Sequence, residues 1–359
     1  YVEYDLENRK ILHRYFQSDV NPNSLSHDVV SGFVEPDIGS LWVTTSNRLS
    51  VLKQGWEDQF IRYSYSDCNE FSLSENNLSC VYKSSSGIIW IGTNGGGVSI
   101  FKRLSNNQFN HFTSANFANG CLDHNMIMAL EESDNHELWI GTFGGHGLVK
   151  FDSKTNECTS FPFAVNKLHD RILSLYIDDE NLLWIGSNGA GINYYNPKTN
   201  TFSTPFEAQN KINGTSISQN DVLDITQDSD GLIWIGTLRG LNSFDKKKKV
   251  FTNYYKEDGL VHNFINALYY DKEFNKLWIA TTKGVSCFDK STQKFTNYVA
   301  EEGKESISNN YAFCFHKDKQ KNLWIGTAQG LNKINLVTGK ITYYLQNDGL
   351  SSDYIYGIL

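Results

Sequence analysis

The chain has 359 residues and a formal net charge of −8, from 40 acidic and 32 basic side chains. That balance argues against a general nucleic-acid binder, which carries a basic footprint. Hydrophobic residues make up 40% and aromatics 14%, enough for a large core and too many for a disordered chain. Twenty-eight glycines and 19 tyrosines stand against five prolines and two methionines, which favours β-structure. No apolar run reaches the roughly 18–20 residues that span a bilayer. No signal-peptide pattern opens the chain, so an exported protein would have lost its signal or carried it outside this sequence. Six cysteines are too few for a disulfide scaffold, and none forms a CxxC pair.

Residues 1–16 contain two short strand-like stretches. From residue 17 to 350 one motif then returns seven times: LWVTT at Trp42, IWIGT at Trp90, LWIGT at Trp139, LWIGS at Trp184, IWIGT at Trp234, LWIAT at Trp278 and LWIGT at Trp324. The spacings are 48, 49, 45, 50, 44 and 46 residues, and only Trp56 lies outside the series. The fifth repeat shows four strands, at Asp221–Thr226, Leu232–Gly236, Leu241–Phe244 and Val250–Tyr255, separated by turn residues. Four antiparallel strands in about 46 residues describe a β-propeller blade. The expected fold is therefore all-β: a seven-bladed β-propeller of four-stranded antiparallel blades, with strands A to D running outward.

The innermost strands must crowd around one axis, so one position per blade should be small. Gly32, Cys80, Ala129, Ser174, Asp224, Ala267 and Cys314 fill that position, flanked by large apolar residues. Asp28, Asn77, Asn125, Asp170, Asn220, Asn263 and Asn310 stand 13 to 15 residues before each repeat Trp. Such Asx side chains are expected to hold the turn entering strand A by bonding the backbone two residues on. Residues 1–16 match strands C and D of a preceding blade. Residues 351–359 match strand A of a following one, with Asp353 in the Asx position and Gly357 in the small position. The segment thus reads as cut from a longer array.

The LWIGT strands, the DGL segments at Asp258–Leu260 and Asp348–Leu350, and the NPKTN turn at Asn196–Asn200 resemble two-component regulator propeller repeats. The resemblance covers nearly the whole chain. It implies the periplasmic sensor half of a hybrid two-component system of glycan-degrading gut Bacteroidetes. There, two seven-bladed propellers and an immunoglobulin-like domain precede a transmembrane helix, a histidine kinase and a response regulator. The implied ligand is an oligosaccharide, and the implied partners are those neighbouring domains. A homodimer is a further expectation. The segment itself is expected to be non-enzymatic. Thr44 and Arg48 replace glycines in repeat one, and Ala280 replaces one in repeat six. These should not break blades, although repeat one should have an irregular B–C turn.

The B–C loops and D-to-A linkers share one face, and binding residues favour such loops on a rigid scaffold. The candidates there are Asn94, Phe143, His146, Asn188, Arg239, Lys283 and Gln329, with Asp224 in the channel. Phe143 suits stacking on a sugar ring, and Asn188 offers a donor and an acceptor. Arg239 and Lys283 suit an acidic saccharide, or else are solvated loop charges. Asp224 is either solvated by a water-filled channel or a ligand contact. The glycines of Thr93–Gly97, Thr142–Gly147 and Ser187–Gly191 suit turns needing positive φ, since no helix follows to make a phosphate site. His27, His124, His169 and His262 lie in blades one, three, four and six, mostly too far apart for one metal. No metal or cofactor is expected. Lys246–Lys249 reads as a solvated hairpin tip, and Asp228–Gly231 as a turn. Cys68 and Cys121 lie in successive linkers and could pair. Two other functions stay open: a protein-binding scaffold, and a propeller-fold polysaccharide lyase or glycosidase, whose acid pairs leave no sequence signature.

Overall fold

The structure is a computed structural model. It describes the chain except residues 1, 6–9, 37–39, 54–58, 70, 86, 102–108, 115–120, 153–154, 156, 162–169, 209–215, 349, 351–352 and 359, and the side chains of residues 1–14. Trp56 and His169 lie outside the described residues.

Seven four-stranded antiparallel sheets follow one another, each in the order A-B-C-D. Blade one comprises Val30–Val34, Leu41–Thr45, Leu49–Leu52 and Phe60–Tyr63. Blade two comprises Leu78–Lys83, Ile89–Thr93, Val98–Phe101 and Phe109–Phe112. Blade three comprises Ile127–Glu132, Glu137–Thr142, Leu148–Asp152 and Cys158–Phe161. Blade four comprises Ile172–Ile177, Leu183–Ser187, Ile192–Asn196 and Thr201–Phe202. Blade five comprises Val222–Gln227, Ile233–Thr237, Gly240–Asp245 and Val250–Tyr254. Blade six comprises Ile265–Asp271, Lys276–Thr281, Gly284–Asp289 and Lys294–Tyr298. Blade seven comprises Ala312–Lys317, Asn322–Thr327, Gly330–Asn335 and Ile341–Tyr344. From blade one to blade seven, each A strand lies against the A strand of the next, so these strands surround the axis. The seven-bladed propeller is therefore the observed architecture.

The repeat motif encodes the fit between blades. The small residue of strand A pairs with the fourth residue of the motif on strand B: Cys80 with Gly92, Ser174 with Gly186, Asp224 with Gly236. The first residue of the next A strand seats against that glycine. A Cβ on Gly236 would stand 2.7 Å from Ile265, and one on Gly186 would stand 2.6 Å from Val222. The glycine is thus a socket for the following blade. In blade one the sizes are exchanged, with Gly32 opposite Thr44, whose hydroxyl donates to the Gly32 carbonyl. Ala280 faces Ala267 in blade six, so neither departure breaks a blade. Arg48 adopts φ +88°, the irregular turn expected of repeat one.

All seven repeat tryptophans are buried, none more than 6% exposed. Five of them meet an aromatic of the next blade: Trp42 with Phe101 at 4.7 Å, Trp90 with Phe151 at 5.3 Å, Trp139 with Tyr195 at 5.2 Å, Trp184 with Phe244 at 5.7 Å and Trp234 with Phe288 at 5.4 Å. Such pairs add about 0.5–1.5 kcal/mol beyond area burial.

The face carrying the A–B and C–D turns holds a second device, which sequence reading missed. Asp178 and Asp228 directly follow strand A, accept two backbone N–H groups of their turn, and accept the indole N–H of Trp184 and Trp234 at 2.8 and 2.7 Å. A lysine from the next blade completes each cluster. Lys246 lies 2.9 Å from Asp178, 3.1 Å from Asp179 and 2.9 Å from Glu180. Lys290 lies 2.5 Å from Asp228 and 2.6 Å from Asp230. Between blades six and seven, Lys317 meets Asp271 at 2.8 Å and Glu273 at 2.9 Å. Burial alone would lower the Lys290 pKa, but the hydrogen bonds it donates to Asp228 and Asp230 carry it above its ordinary value. Lys246 is therefore a clamp rather than a solvated tip, because a carboxylate buried to 0% exposure needs a cation. Only Lys247–Lys249 of that run are exposed.

Cys121 pairs with Cys158, not with Cys68, which is exposed and free. The linker before blade three is thereby tied to that blade's own strand D, since those Cα atoms stand 6.1 Å apart. Val2–Asp5 and Lys10–Arg14 form a separate two-stranded antiparallel sheet. Residues 353–357 run beside blade seven: Ile355 N–H donates to the Thr327 carbonyl, and a Cβ on Gly357 would stand 3.6 Å from the Phe33 ring of blade one.

Candidate functional site

The B–C loops are built from the last residue of the repeat motif. The hydroxyls of Thr93, Thr142, Ser187, Thr237, Thr281 and Thr327 donate to the carbonyl of the glycine that closes each loop. In the longer loops Gly97, Gly147 and Gly191 adopt φ of +77°, +81° and +77°, which glycine reaches without steric cost.

The Asx ring stitches this face together, in a different way from the expected turn. Asp28, Asn125, Asn220, Asn263, Asn310 and Asp353 reach back across the linker and accept the N–H of Gln17, Ser114, Ala208, Lys256, Ala300 and Gln346. In blade two Asn76, not Asn77, does this for Tyr65. The two-residue bond comes from the residue one place earlier. His27, His124, His262 and Asn309 accept the N–H groups of Val29, Met126, Phe264 and Tyr311. The histidines thus act as turn acceptors. Among the described residues no group of three His, Cys, Asp or Glu is placed to hold a metal. Asx carbonyls meanwhile receive N–H groups from the preceding blade's B–C loop: Asn125 from Gly95 and Gly97, Asn220 from Gly189 and Gly191, Asn310 from Gly284. Loop and linker of adjacent blades are therefore hydrogen-bonded to each other.

On this frame the candidates fall into two equivalent rows. Asn94, Phe143 and Asn188 follow the Thr or Ser directly, and their N–H groups bond the carbonyls of Asn77, Met126 and Arg171. Arg239, Lys283 and Gln329 lie one residue further, their N–H groups on Thr237, Thr281 and Thr327. All three are exposed. Gln329 accepts from Asn309 at 3.4 Å. Phe143 is half-buried under the Arg171 guanidinium, 5.4 Å from its ring centre. His146 Nδ1 stands 3.0 Å from Asp123 Oδ2, and its backbone N–H donates to the same carboxylate. Burial, then Lys283 and Lys256, lower the His262 pKa.

Arg171 and Asp123 were not legible as candidates. Each belongs to the linker rather than the loop, and only folding brings it beside Phe143 or His146. The position after the Asx residue is also chemically varied: Val29, Met126, Arg171, Asp221, Phe264 and Tyr311.

Asp224 lies apart from the loop face, on strand A. Its Oδ2 accepts the Leu268 N–H of the next blade at 2.7 Å, and its Oδ1 accepts the Ile225 N–H at 2.8 Å. Burial pushes its carboxyl up to about 6 against those two bonds. Glu131 of blade three is pushed up to about 7, also by burial, while accepting from Ile177 of blade four. Both acids bridge neighbouring A strands. Cys80 and Cys314, in the small position, are half-buried, and burial pushes their thiols up to about 11 and about 12.

Three segments, residues 72–95, 216–239 and 306–329, match the family model described as two component regulator propeller. Each spans a strand A, its B strand and the start of the B–C loop. No curated protein matches the sequence. The fold is similar to the extracellular domain of a hybrid two component system from B. thetaiotaomicron, with 22% identity and a TM-score of 0.64 over 89% of this chain. This chain spans 40% of that one. It is also similar to PorZ of Porphyromonas gingivalis (14% identity, TM-score 0.56, 89% of this chain and 53% of that one). Virginiamycin B lyase from Staphylococcus aureus is a third (13% identity, TM-score 0.55, 83% and 92%). At these identities the likenesses show the fold alone. The chain is a seven-bladed propeller, and three of its seven repeats match the two component regulator propeller model.

Proposed function

We propose that this propeller is a ligand-sensing module in the extracytoplasmic half of a hybrid two-component sensor, and that it recognises an oligosaccharide on the face of B–C loops and D-to-A linkers. One observation carries the reading: a hydrogen-bonded frame repeats from blade to blade, while the side chains mounted on it change chemistry at every step. A frame of that kind holds binding groups in place without spending binding energy to order them. Phe143 beneath Arg171, the His146–Asp123 pair, and the exposed Arg239 and Lys283 supply an apolar surface, hydrogen-bonding groups and positive charge on a chain of net charge −8. An acidic saccharide suits that set, because charge-assisted bonds are stronger than neutral ones. The Cys121–Cys158 bond supports a periplasmic setting, since structural disulfides persist in oxidising compartments. In this reading the segment catalyses nothing. Kinase, immunoglobulin-like domain and second propeller belong to a longer parent, and a homodimer is its further partner.

The test is calorimetry of the chain with neutral and acidic glycan fragments, with the fragments assayed for depletion afterwards. Arg239→Ala combined with Lys283→Ala should abolish binding of the acidic fragment and leave the melting temperature nearly unchanged. Unaltered affinity in that variant would refute the placement, and depletion of the fragment would favour a lyase or glycosidase.

A further inference from the structure

On the opposite face, blades three and four meet differently from the three junctions that follow. The A–B turn of blade three reads Ser133-Asp134-Asn135-His136, where blade four reads Asp178-Asp179-Glu180-Asn181. His136 and Asn181 share the left-handed φ of 64° and 63°, which fixes the alignment. Ser133 thus stands where Asp178 and Asp228 hold the clamp. The clamp lysines Lys246 and Lys290 follow Asp245 and Asp289, the last residues of their C strands. In blade four the C strand ends at Asn196, so Pro197 takes the lysine position. Both halves of the ion pair are replaced at one junction. A cavity of about 210 Å³ opens there. Trp139 and Tyr195 floor it, and Ser133, Asn135, Asn181 and Pro197 line it.

Ser133 Oγ is buried and has no hydrogen-bond partner among the described residues. Ser84, at the same position in blade two, accepts the Ile88 N–H at 2.9 Å, so an orphaned hydroxyl is not a property of the turn. A buried polar group without a partner is uncommon, because it forgoes the hydrogen bond that water would supply. The cavity carries no buried carboxylate that demands a cation. Glu137 on its wall is already paired with Lys150 at 2.7 Å, and the exposed Asp134 and Lys198 at its rim carry opposite charges. Two amides and a hydroxyl offer donors and acceptors together, the complement of a hydroxyl group. Proline and the two aromatic rings add apolar surface. The volume lies below the roughly 300–1,000 Å³ of pockets for drug-sized ligands, so one small ring fits and a chain of rings does not.

We propose that this cleft binds a neutral, hydroxyl-rich molecule about the size of one sugar ring. The site stands apart from the loop face and needs no ligand there. The test uses calorimetry of the chain with glucose, galactose, mannose and N-acetylglucosamine, and with 1,5-diaminopentane as the cationic control. At least one sugar should bind saturably, and the diamine should not displace it. Ser133→Asp with Pro197→Lys should rebuild the clamp, hold or raise the melting temperature, and weaken sugar binding at least tenfold. Should that variant fail to fold, Ser133→Ala reads the same point through an affinity loss of at least threefold. Binding should persist in the Arg239→Ala, Lys283→Ala variant, which separates this site from the loop face. Silence of all four sugars, undiminished affinity after the Ser133 changes, displacement by the diamine, or loss in the loop-face variant would each overturn the proposal.

Discussion

The junctions between blades four and seven and the junction between blades three and four solve one packing problem in two ways. In the first set a buried aspartate or its neighbours receive a lysine from the next blade. In the second a serine and a proline line a cavity, and a disulfide ties the linker before blade three to that blade's strand D. The same turn geometry supports both, because a left-handed turn residue and a repeat tryptophan packed on a strand C aromatic of the next blade recur at the junctions of blades three to six. The contrast teaches that propeller repeats tolerate loss of a charged pair when both partners go together. Losing one alone would strand a buried charge.

The largest effect should follow from stranding such a charge. Lys290→Met leaves Asp228 buried without its cation and is expected to cost about 3–5 kcal/mol, read from urea denaturation midpoints. Pro197→Lys by itself, in the unclamped junction, should cost under about 1 kcal/mol, because its ammonium can turn to solvent. Equal losses at the two sites would erase the distinction. Breaking the Cys121–Cys158 bond as Cys158→Ser should cost about 2–4 kcal/mol for a loop of 37 residues. The wild type should melt lower under reductant, and the variant should not respond to it.

A smaller effect probes the A strands that both regions share. Asp224 carries a folded pKa of about 6, above its unfolded value. Its contribution is therefore fully present below the unfolded pKa and lost as pH rises through about 6. The size is about 1–3 kcal/mol, discounted for partial exposure on the channel wall. Asp224→Asn should flatten the stability profile between pH 4 and pH 7 relative to wild type, as followed by thermal melts. An unchanged profile would mean that Asp224 is solvated in the channel, the alternative that the sequence leaves open. The least effect is expected from Arg239→Ala with Lys283→Ala, within about 0.5 kcal/mol of wild type, since both side chains are exposed.

The fold was legible because it repeats. Seven tryptophans, six small residues with Asp224 as the exception, and seven Asx residues each report one geometric requirement, and repetition turns weak signals into a strong one. The loop face was legible as a face, since strand order alone puts the B–C loops beside the linkers. What escaped was contact between residues far apart in sequence. Lys246 lies 68 residues from Asp178 and Lys290 lies 60 from Asp230, so a run of lysines looked like a solvated tip. The same limit hid the partner of Cys121 and the arginine over Phe143. The Asx ring was recognised and its bond misassigned, because the two-residue bond is made by its neighbour while the Asx reaches across the linker.

The glycine sockets carry a consequence for how the ring comes into being on the ribosome. Each socket is filled by a strand that emerges one repeat later, from Gly92 receiving Ile127 to Gly236 receiving Ile265. A nascent blade therefore waits, its B strand exposed, for some 29 to 36 residues of further synthesis, from Gly236 to Ile265 and from Gly186 to Val222. At roughly 5–20 residues per second that is about 1–7 s per blade, long compared with the microseconds a hairpin needs to form. Closure thus advances in one direction at the pace of translation, and each new strand finishes the blade made before it.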